Sequence, residues 1–475
     1  MELSKNPVWE AFAWRVLPHA LHGGSDFGEC LATLERIGEG SADDWHREWT
    51  ATADRVAAIA QVSDQRGHFI SAREAYFRAS NYYHASYFPL FGAPVDPRLT
   101  RAFTAEVAAF QRAAALSQPA IEPIEIPFEG RTLPGYFVRA SSDPGSRPTI
   151  VQVNGYDSNI QEMYFAHGPA AVSRGYNCLL FDGPGQGRNL IRDGLVLRPD
   201  WENVVRAVID YAVTRPEVDP WRIVLAGWGL GGFLAPRAAA FEKRIAALIA
   251  DPGQWDQSDT VKAIPVPPEL LRQKDSVPPP QFEQFEQWLR SPAADPMFRW
   301  RTLQRGMWTH GVNSLFELVK QIVRFEISPV AEHISCPTLL TAVDGDTLSR
   351  GAQKLFDALR CPKLLLRFTA TEGSGGHCEP LARSLYEQRV FDWLDETLKS
   401  GGCLPLHLHL GRDAAAAAKP PQTGVNGSTE VSPPPAHAPS SATDTRPTIR
   451  FEDEGVFKRS DLGLPPRWGG GDRSS

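Results

Sequence analysis

A strand-like run, RIVLA (222–226), passes directly into G-W-G-L-G-G and then into the helical stretch FLAPRAA, all within residues 222–239. Strand, sharp glycine-flanked turn and helix make up the nucleophile elbow, G-x-S-x-G, whose central serine exposes its hydroxyl for attack on a carbonyl. Here the flanking glycines are Gly227 and Gly231, and the central position is Gly229. The elbow residue takes φ > 0, a strained state for a residue with a Cβ and an easy one for glycine. Gly229 therefore relaxes the turn and removes the nucleophile, so no acyl-enzyme can form there.

An acid and then a histidine are expected downstream of such a turn. The run PTLLTAV (337–343) is followed by Asp344-Gly345-Asp346, and KLLLRF (363–368) by TATEGSGGHCE, which places His377 ahead of the last helix. An acid bonded to a histidine orients the ring and makes it a general base. Asp346 fits the acid because it sits further into its loop; Asp344 and Asp251, which follows the preceding strand, are the alternatives. Two backbone N–H groups would hold a developing oxyanion. Leu230, just after the elbow position, supplies one; Tyr156, in Asn154-Gly155-Tyr156-Asp157, supplies the other, with Gly155 allowing close approach. The Tyr156 ring either faces the site or packs in a lid. Trp228 and Gly155 are candidates for contact with substrate. FDGPGQG (181–187) lacks the Lys-Ser/Thr of a phosphate-binding loop and reads as a tight turn beside the site.

These residues need a scaffold that brings strand ends together. From 121 to 256, apolar runs alternate with helical stretches: TIVQV (149–153), NCLLF (177–181), RIVLA (222–226) and IAALIA (245–250), with helices near 161–174, 201–214 and 231–242. That alternation predicts an α/β fold with a mostly parallel sheet and crossover helices. IEIPF and PGYFVRA precede it as a hairpin turning at Glu129–Gly130. Residues 1–120 read as an N-terminal helical domain, including a helix over Ser63–Ala85 with the stripe Phe69, Ala72, Tyr76, Ala79, Tyr83 on one face. Residues 257–330 interrupt the alternation with helices 281–291, 297–308 and 312–324, a cap over the strand C-termini. Its Trp288, Trp300, Trp308, Phe298 and Phe316 suit an apolar or aromatic ligand, or simply pack the cap onto the sheet. The sheet resumes over 331–400, with helices at 350–359 and 379–398. Residues 401–475 form a disordered tail, whose alanine run and many Pro, Ser and Thr cannot bury enough apolar surface to order.

Composition narrows the classes of function. With 475 residues, 42% hydrophobic and 22% charged, the chain has the make-up of a globular protein. A net charge of −7 without a long basic run argues against nucleic acid or an anionic membrane as partner. No stretch approaches the roughly 18 apolar residues of a membrane span. The six cysteines form no CxxC pair, so a zinc site or disulfide framework is not expected; reduced thiols, a cytoplasmic location and no metal are.

NGYDSNIQEMYFAHGPAAVSRGYNCLLFDGPGQG, then AGWGLGGFLAPRAAA and IADPGQWD, resemble the 2,6-dihydroxypseudooxynicotine hydrolase and yellowish-green fungal pigment hydrolase branch of the α/β-hydrolases. The N-terminal AREAYFRASNYYHASYFPL is similar to that branch's helical domain, so the resemblance spans roughly residues 10–398. It implies an α/β-hydrolase fold and cleavage of a carbon–carbon bond next to a ketone in an aromatic or polyketide-like small molecule. It also implies no cofactor, a homodimer, Asp346 as acid and His377 as base. Glu162 matches an acidic position after the oxyanion loop and joins Gly155 and Trp228 as a candidate for contact with substrate. The serine has no counterpart. Two readings follow: an enzyme working through His377 and Asp346 without an acyl-enzyme, or an inactive pseudo-hydrolase that binds a ligand.

Overall fold

The computed structural model describes residues 2–257 and 276–399. Pro265, Pro267, Pro268 and the tail from 401 lie outside the described residues.

Eight strands form one sheet in the order β1-β2-β4-β3-β5-β6-β7-β8. They are β1 (Glu122–Phe128), β2 (Arg131–Val138), β3 (Arg147–Val153), β4 (Asn177–Phe181), β5 (Val218–Trp228), β6 (Ile245–Asp251), β7 (Thr338–Val343) and β8 (Lys363–Phe368). The pairings from β4 through β8 are parallel, whereas β1 and β2 are antiparallel. The β1–β2 hairpin closes with Phe128 opposite Arg131, and both turn residues, Glu129 and Gly130, have positive φ, as a tight two-residue hairpin turn requires.

The parallel strands are apolar on both faces because both faces are covered. Val151, Leu225 and Leu248 pack with α8 (Trp201–Ala212) and α9 (Gly231–Ala239). Their neighbours Ile150, Val224 and Ile249 point the other way, into a core shared with the N-terminal helices. Those are α1 (Pro7–Val16), α2 (Phe27–Ile37), α3 (Ala42–Gln65), α4 (Phe69–Ser86) and α5 (Pro97–Leu116); α6 (Ile160–Ser173) lies between β3 and β4, and α7 (Gly187–Ile191) follows β4. Trp45 and Trp49 of α3 are fully buried in this layer.

Two expectations change here. The stretch from Ser63 to Ala85 is not one helix: α3 ends at Gln65, Gly67 takes φ +76°, and α4 starts at Phe69. Phe69 itself is 54% exposed, while Ala72, Tyr76, Ala79 and Tyr83 are buried. The last helix starts at Arg383 rather than 379, because Cys378 and Glu379 hold positive φ and turn the chain beside the site.

The cap runs as a helix at Pro280–Arg290, a short turn at Pro296–Arg299, a π-helical segment at Trp300–Gly306, Met307–His310 and a helix at Leu315–Ile322. Phe282, Leu289, Phe316 and Val319 form its own small core, joined by Phe298. Most of its apolar residues thus hold the cap together. No helix among the described residues is long and apolar enough to cross a membrane.

Candidate active site

The elbow is real in backbone and empty in side chain. β5 ends at Trp228, Gly229 turns with φ +59°, and α9 follows from Gly231. The packing explains the flanking glycine: a Cβ at Gly227 would lie 1.9 Å from the Gly231 carbonyl oxygen. The Gly229 N–H donates to Asp251 O at 2.8 Å, and its carbonyl accepts from Gln254 Nε2. A Cβ at 229 would sit 3.2 Å from His377 Nε2 and 3.5 Å from Gly155 Cα. The histidine therefore faces the spot that a serine side chain would occupy.

His377 lies in the loop after β8, and its Nδ1 is 2.9 Å from Asp346 Oδ2. Asp346 also accepts from the Leu348 N–H at 3.0 Å and from Ser349 Oγ at 3.1 Å. Burial raises its carboxyl pKa, but the His377 hydrogen bond and these donors outweigh that and leave the group below its ordinary value. An ionised Asp346 makes Nδ1 the protonated nitrogen, so Nε2 presents a lone pair to the elbow. Asp344 and Asp251 do not reach the histidine in this way. The Asp344 carboxylate meets the Ala370 N–H at 3.4 Å on the surface. Asp251 is buried and accepts from Thr341 Oγ1 at 2.9 Å, with Arg383 at 3.5 Å.

The N–H groups of Tyr156 and Leu230 have no hydrogen-bond partner among the described residues. Leu230 is at the N-terminus of α9, where unpaired N–H groups and the helix dipole favour negative charge. The Tyr156 loop is held from below, because Gln186 Nε2 donates to the carbonyls of Asn154 and Gly155, each at 2.9 Å. That gives the FDGPGQG turn its role: it buttresses the loop. The Tyr156 ring packs on the cap, 5.7 Å from the His310 ring and 4.7 Å beneath the Arg305 guanidinium.

A cavity of about 640 Å³ opens over these groups, lined by Gly155, Tyr156, Trp228, Gly229, Leu230 and His377. α1 and the turn after it add Trp14, Arg15 and His19; the cap adds Trp300, Arg301 and His310. Five buried polar atoms on its lining residues, His19 Nε2, Trp228 Nε1, Trp300 Nε1, Arg305 Nε and His310 Nε2, have no hydrogen-bond partner among the described residues. Burial, then the nearby Arg305, lowers the His310 pKa to about 4, so that ring is neutral at ordinary pH.

Glu162 stands elsewhere than expected. It does not line the cavity; it lies behind the wall, tied to Arg15 by two 2.5 Å hydrogen bonds, with His84 Nε2 at 3.3 Å and His19 Nε2 at 3.7 Å. The acidic side chain at the start of α6 is drawn to Arg15 and these histidines rather than to the pocket. Arg15 is the residue that reaches the cavity, and it also bonds Asp157 Oδ1 at 3.1 Å. Asp157 Oδ2 takes Arg305 of the cap at 3.0 Å. One carboxylate thus links the Tyr156 loop to α1 and to the cap.

The comparisons agree with this fold. A family model described as "Alpha/beta hydrolase family" matches residues 153–392. The chain is similar to Hydrolase LUC6 of a Fusarium species, 32% identical over 413 residues that cover 81% of this chain and 94% of that one. It is also similar to the 20-hydroxy-prefusarin hydrolase FUS2 of Gibberella moniliformis, 32% identical over 403 residues, 79% of this chain and 92% of that one. Among solved structures, that of 2,6-dihydroxy-pseudo-oxynicotine hydrolase shares the fold with a TM-score of 0.64 at 22% identity, covering 82% of this chain and 97% of that one. On the family match and on relatives aligned over most of both lengths, this chain belongs to the alpha/beta hydrolase family and is a hydrolase-type enzyme.

Proposed function

We propose that this hydrolase works without a covalent serine intermediate, using His377 and Asp346 to cleave a carbon–carbon bond next to a ketone in an aromatic or polyketide-like small molecule. The observation that carries the reading is the approach of His377 Nε2 to 3.2 Å from where a Cβ of residue 229 would stand. With no side chain there, a water placed at hydrogen-bond distance from Nε2 takes the serine's part. His377 removes its proton as its oxygen adds to the ketone carbon. The N–H groups of Tyr156 and Leu230 hold the oxyanion, each worth about 3–4 kcal/mol where such donors have been removed from other enzymes. Collapse of the adduct breaks the carbon–carbon bond. The electron pair leaves as an enolate, which takes the proton back from His377, and the products are a carboxylic acid and a ketone. A β-diketone suits this sequence because its second carbonyl stabilises the leaving enolate. The names of the relatives as hydrolases, one of them a 20-hydroxy-prefusarin hydrolase, support hydrolysis of a small molecule.

A ligand-binding protein without turnover is the second reading, and the absent nucleophile at Gly229 favours it. The test is turnover of aryl β-diketones and aryl esters, followed by mass spectrometry, for the natural chain, His377→Ala and Gly229→Ser. Diketone cleavage by the natural chain supports the proposal. If the natural chain is inert and only Gly229→Ser acts on esters, the binding reading stands instead.

Gly229→Ser has a structural expectation of its own. A side chain at φ +59° costs about 1–3 kcal/mol. The 3.2 Å contact with His377 also needs a few tenths of an ångström of relief. The histidine side chain is 42% exposed on a loop that begins Gly375-Gly376, so it can yield. The variant is expected to fold, to unfold at a lower urea midpoint, and to gain esterase turnover with aryl esters. Loss of folded protein, or no esterase at all, would refute the claim that the remaining site is ready for a serine.

A further inference from the structure

The wall of the cavity nearest the cap carries more positive than negative charge. Four arginines line the cavity: Arg15, Arg301, Arg305 and Arg383. Arg15 is paired with Glu162 and Asp157, Arg305 with the other oxygen of Asp157 through one nitrogen while its Nε has no partner among the described residues, and Arg383 with Asp251. The Arg301 side chain makes no hydrogen bond or ion pair among the described residues. Asp157, Asp295 and Asp346 attract it only from a distance, while Arg305 repels it. Burial first, and then Arg305, hold its pKa below the ordinary arginine value, though an arginine stays charged at any working pH. Its side chain is accessible, and it belongs to a residue that lines the cavity.

The backbone singles out the same place. Arg301 lies in the π-helical segment Trp300–Gly306, a rare conformation that recurs at functional sites. Trp300, Arg301, Thr302, Arg305 and Gly306 of those seven residues all line the cavity. Nearby, the unpartnered buried atoms Trp228 Nε1 and His310 Nε2 point to a ligand with polar groups rather than a bare hydrocarbon. A planar guanidinium with free donors in a partly desolvated cavity matches a carboxylate, which it holds through two parallel hydrogen bonds.

We propose that Arg301 is the anchor for an anionic group of the substrate, so that the enzyme takes ketones that carry a carboxylate. This rests on the reading of the cavity as a substrate site, but it concerns recognition and not the bond that is broken. The experiment therefore reads binding. Benzoylpropionate, an aryl keto acid, and its methyl ester, the same ketone without the charge, are titrated by calorimetry into the full chain. Arg301→Gln, Arg301→Lys and His377→Ala are titrated in parallel. The natural chain should bind the acid at least roughly tenfold more tightly than the ester, the range expected of a hydrogen bond to a charged group. Arg301→Gln should bring the two affinities within roughly twofold, and Arg301→Lys should keep most of the preference. His377→Ala should keep all of it, so loss of turnover and loss of the anion preference are separable failures. Equal affinity for acid and ester in the natural chain, no measurable binding of the acid, or an unchanged preference in Arg301→Gln would each overturn the assignment.

Discussion

His377→Ala is expected to lower kcat for an aryl β-diketone by about 10²–10⁴-fold, with little change in KM. Without a serine, every proton transfer in the proposed sequence passes through Nε2. Of the other histidines that line the cavity, His310, with its pKa lowered to about 4, is a weak base set on the cap against Tyr156 and Phe325, while His19 and His22 lie beside Glu162 and Glu387. Asp346→Asn should follow in the same direction, because an amide no longer selects the tautomer that leaves Nε2 unprotonated. The His377 side chain is 42% exposed, so its removal should leave the urea unfolding midpoint close to that of the natural chain. Steady-state kinetics beside an unfolding curve separates chemistry from folding. Undiminished turnover in a folded His377→Ala protein would end the general-base proposal.

The second large effect concerns stability. Arg15→Ala is expected to cost about 3–5 kcal/mol, because it strips a buried carboxylate of its main partner. The Glu162 side chain has no exposed surface, and burial alone would raise its pKa; Arg15 first, then His84, instead hold it well below the ordinary value. His84 is itself buried; burial would lower its pKa, but Glu106 and Glu162 raise it to about 9. It can share the Glu162 charge but is already engaged with Glu106 at 3.2 Å. Urea unfolding followed by tryptophan fluorescence measures the loss. Replacing both partners, Arg15→Met with Glu162→Leu, should cost much less than Arg15→Ala, since no charge is then left buried and alone. Equal stability of Arg15→Ala and the natural chain would mean that the Arg15–Glu162 pair does not hold α1 on the core.

The strands were legible in the sequence because burial on both faces of a parallel sheet leaves unbroken apolar runs such as TIVQV and IAALIA. The elbow was legible because strand, glycine-flanked turn and helix follow one another within a few residues, and because the turn needs glycine where φ is positive. His377 and Asp346 were legible as positions, each on the loop after a strand that the alternation marks. The long-range polar contacts were not. Arg15 meets Asp157 across 142 positions, and nothing in the local spacing of either residue signals the pairing. Glu162 illustrates the same limit: its place after the Tyr156 loop pointed to substrate, while Arg15 and two histidines brought by distant segments draw it behind the wall. The π-helical segment at Trp300–Gly306 carries no periodic signal that separates it from an ordinary helix.

The bare turn at Gly229 has a practical consequence for finding this enzyme. Fluorophosphonate reagents mark serine hydrolases by forming a bond to the activated hydroxyl at the elbow. Here the elbow offers an α-carbon and two hydrogens, and no atom of Gly229 can be phosphonylated. A profile of a cell extract made with such reagents will pass over this protein however active it is, whereas a reversible ligand that fills the cavity will still retain it.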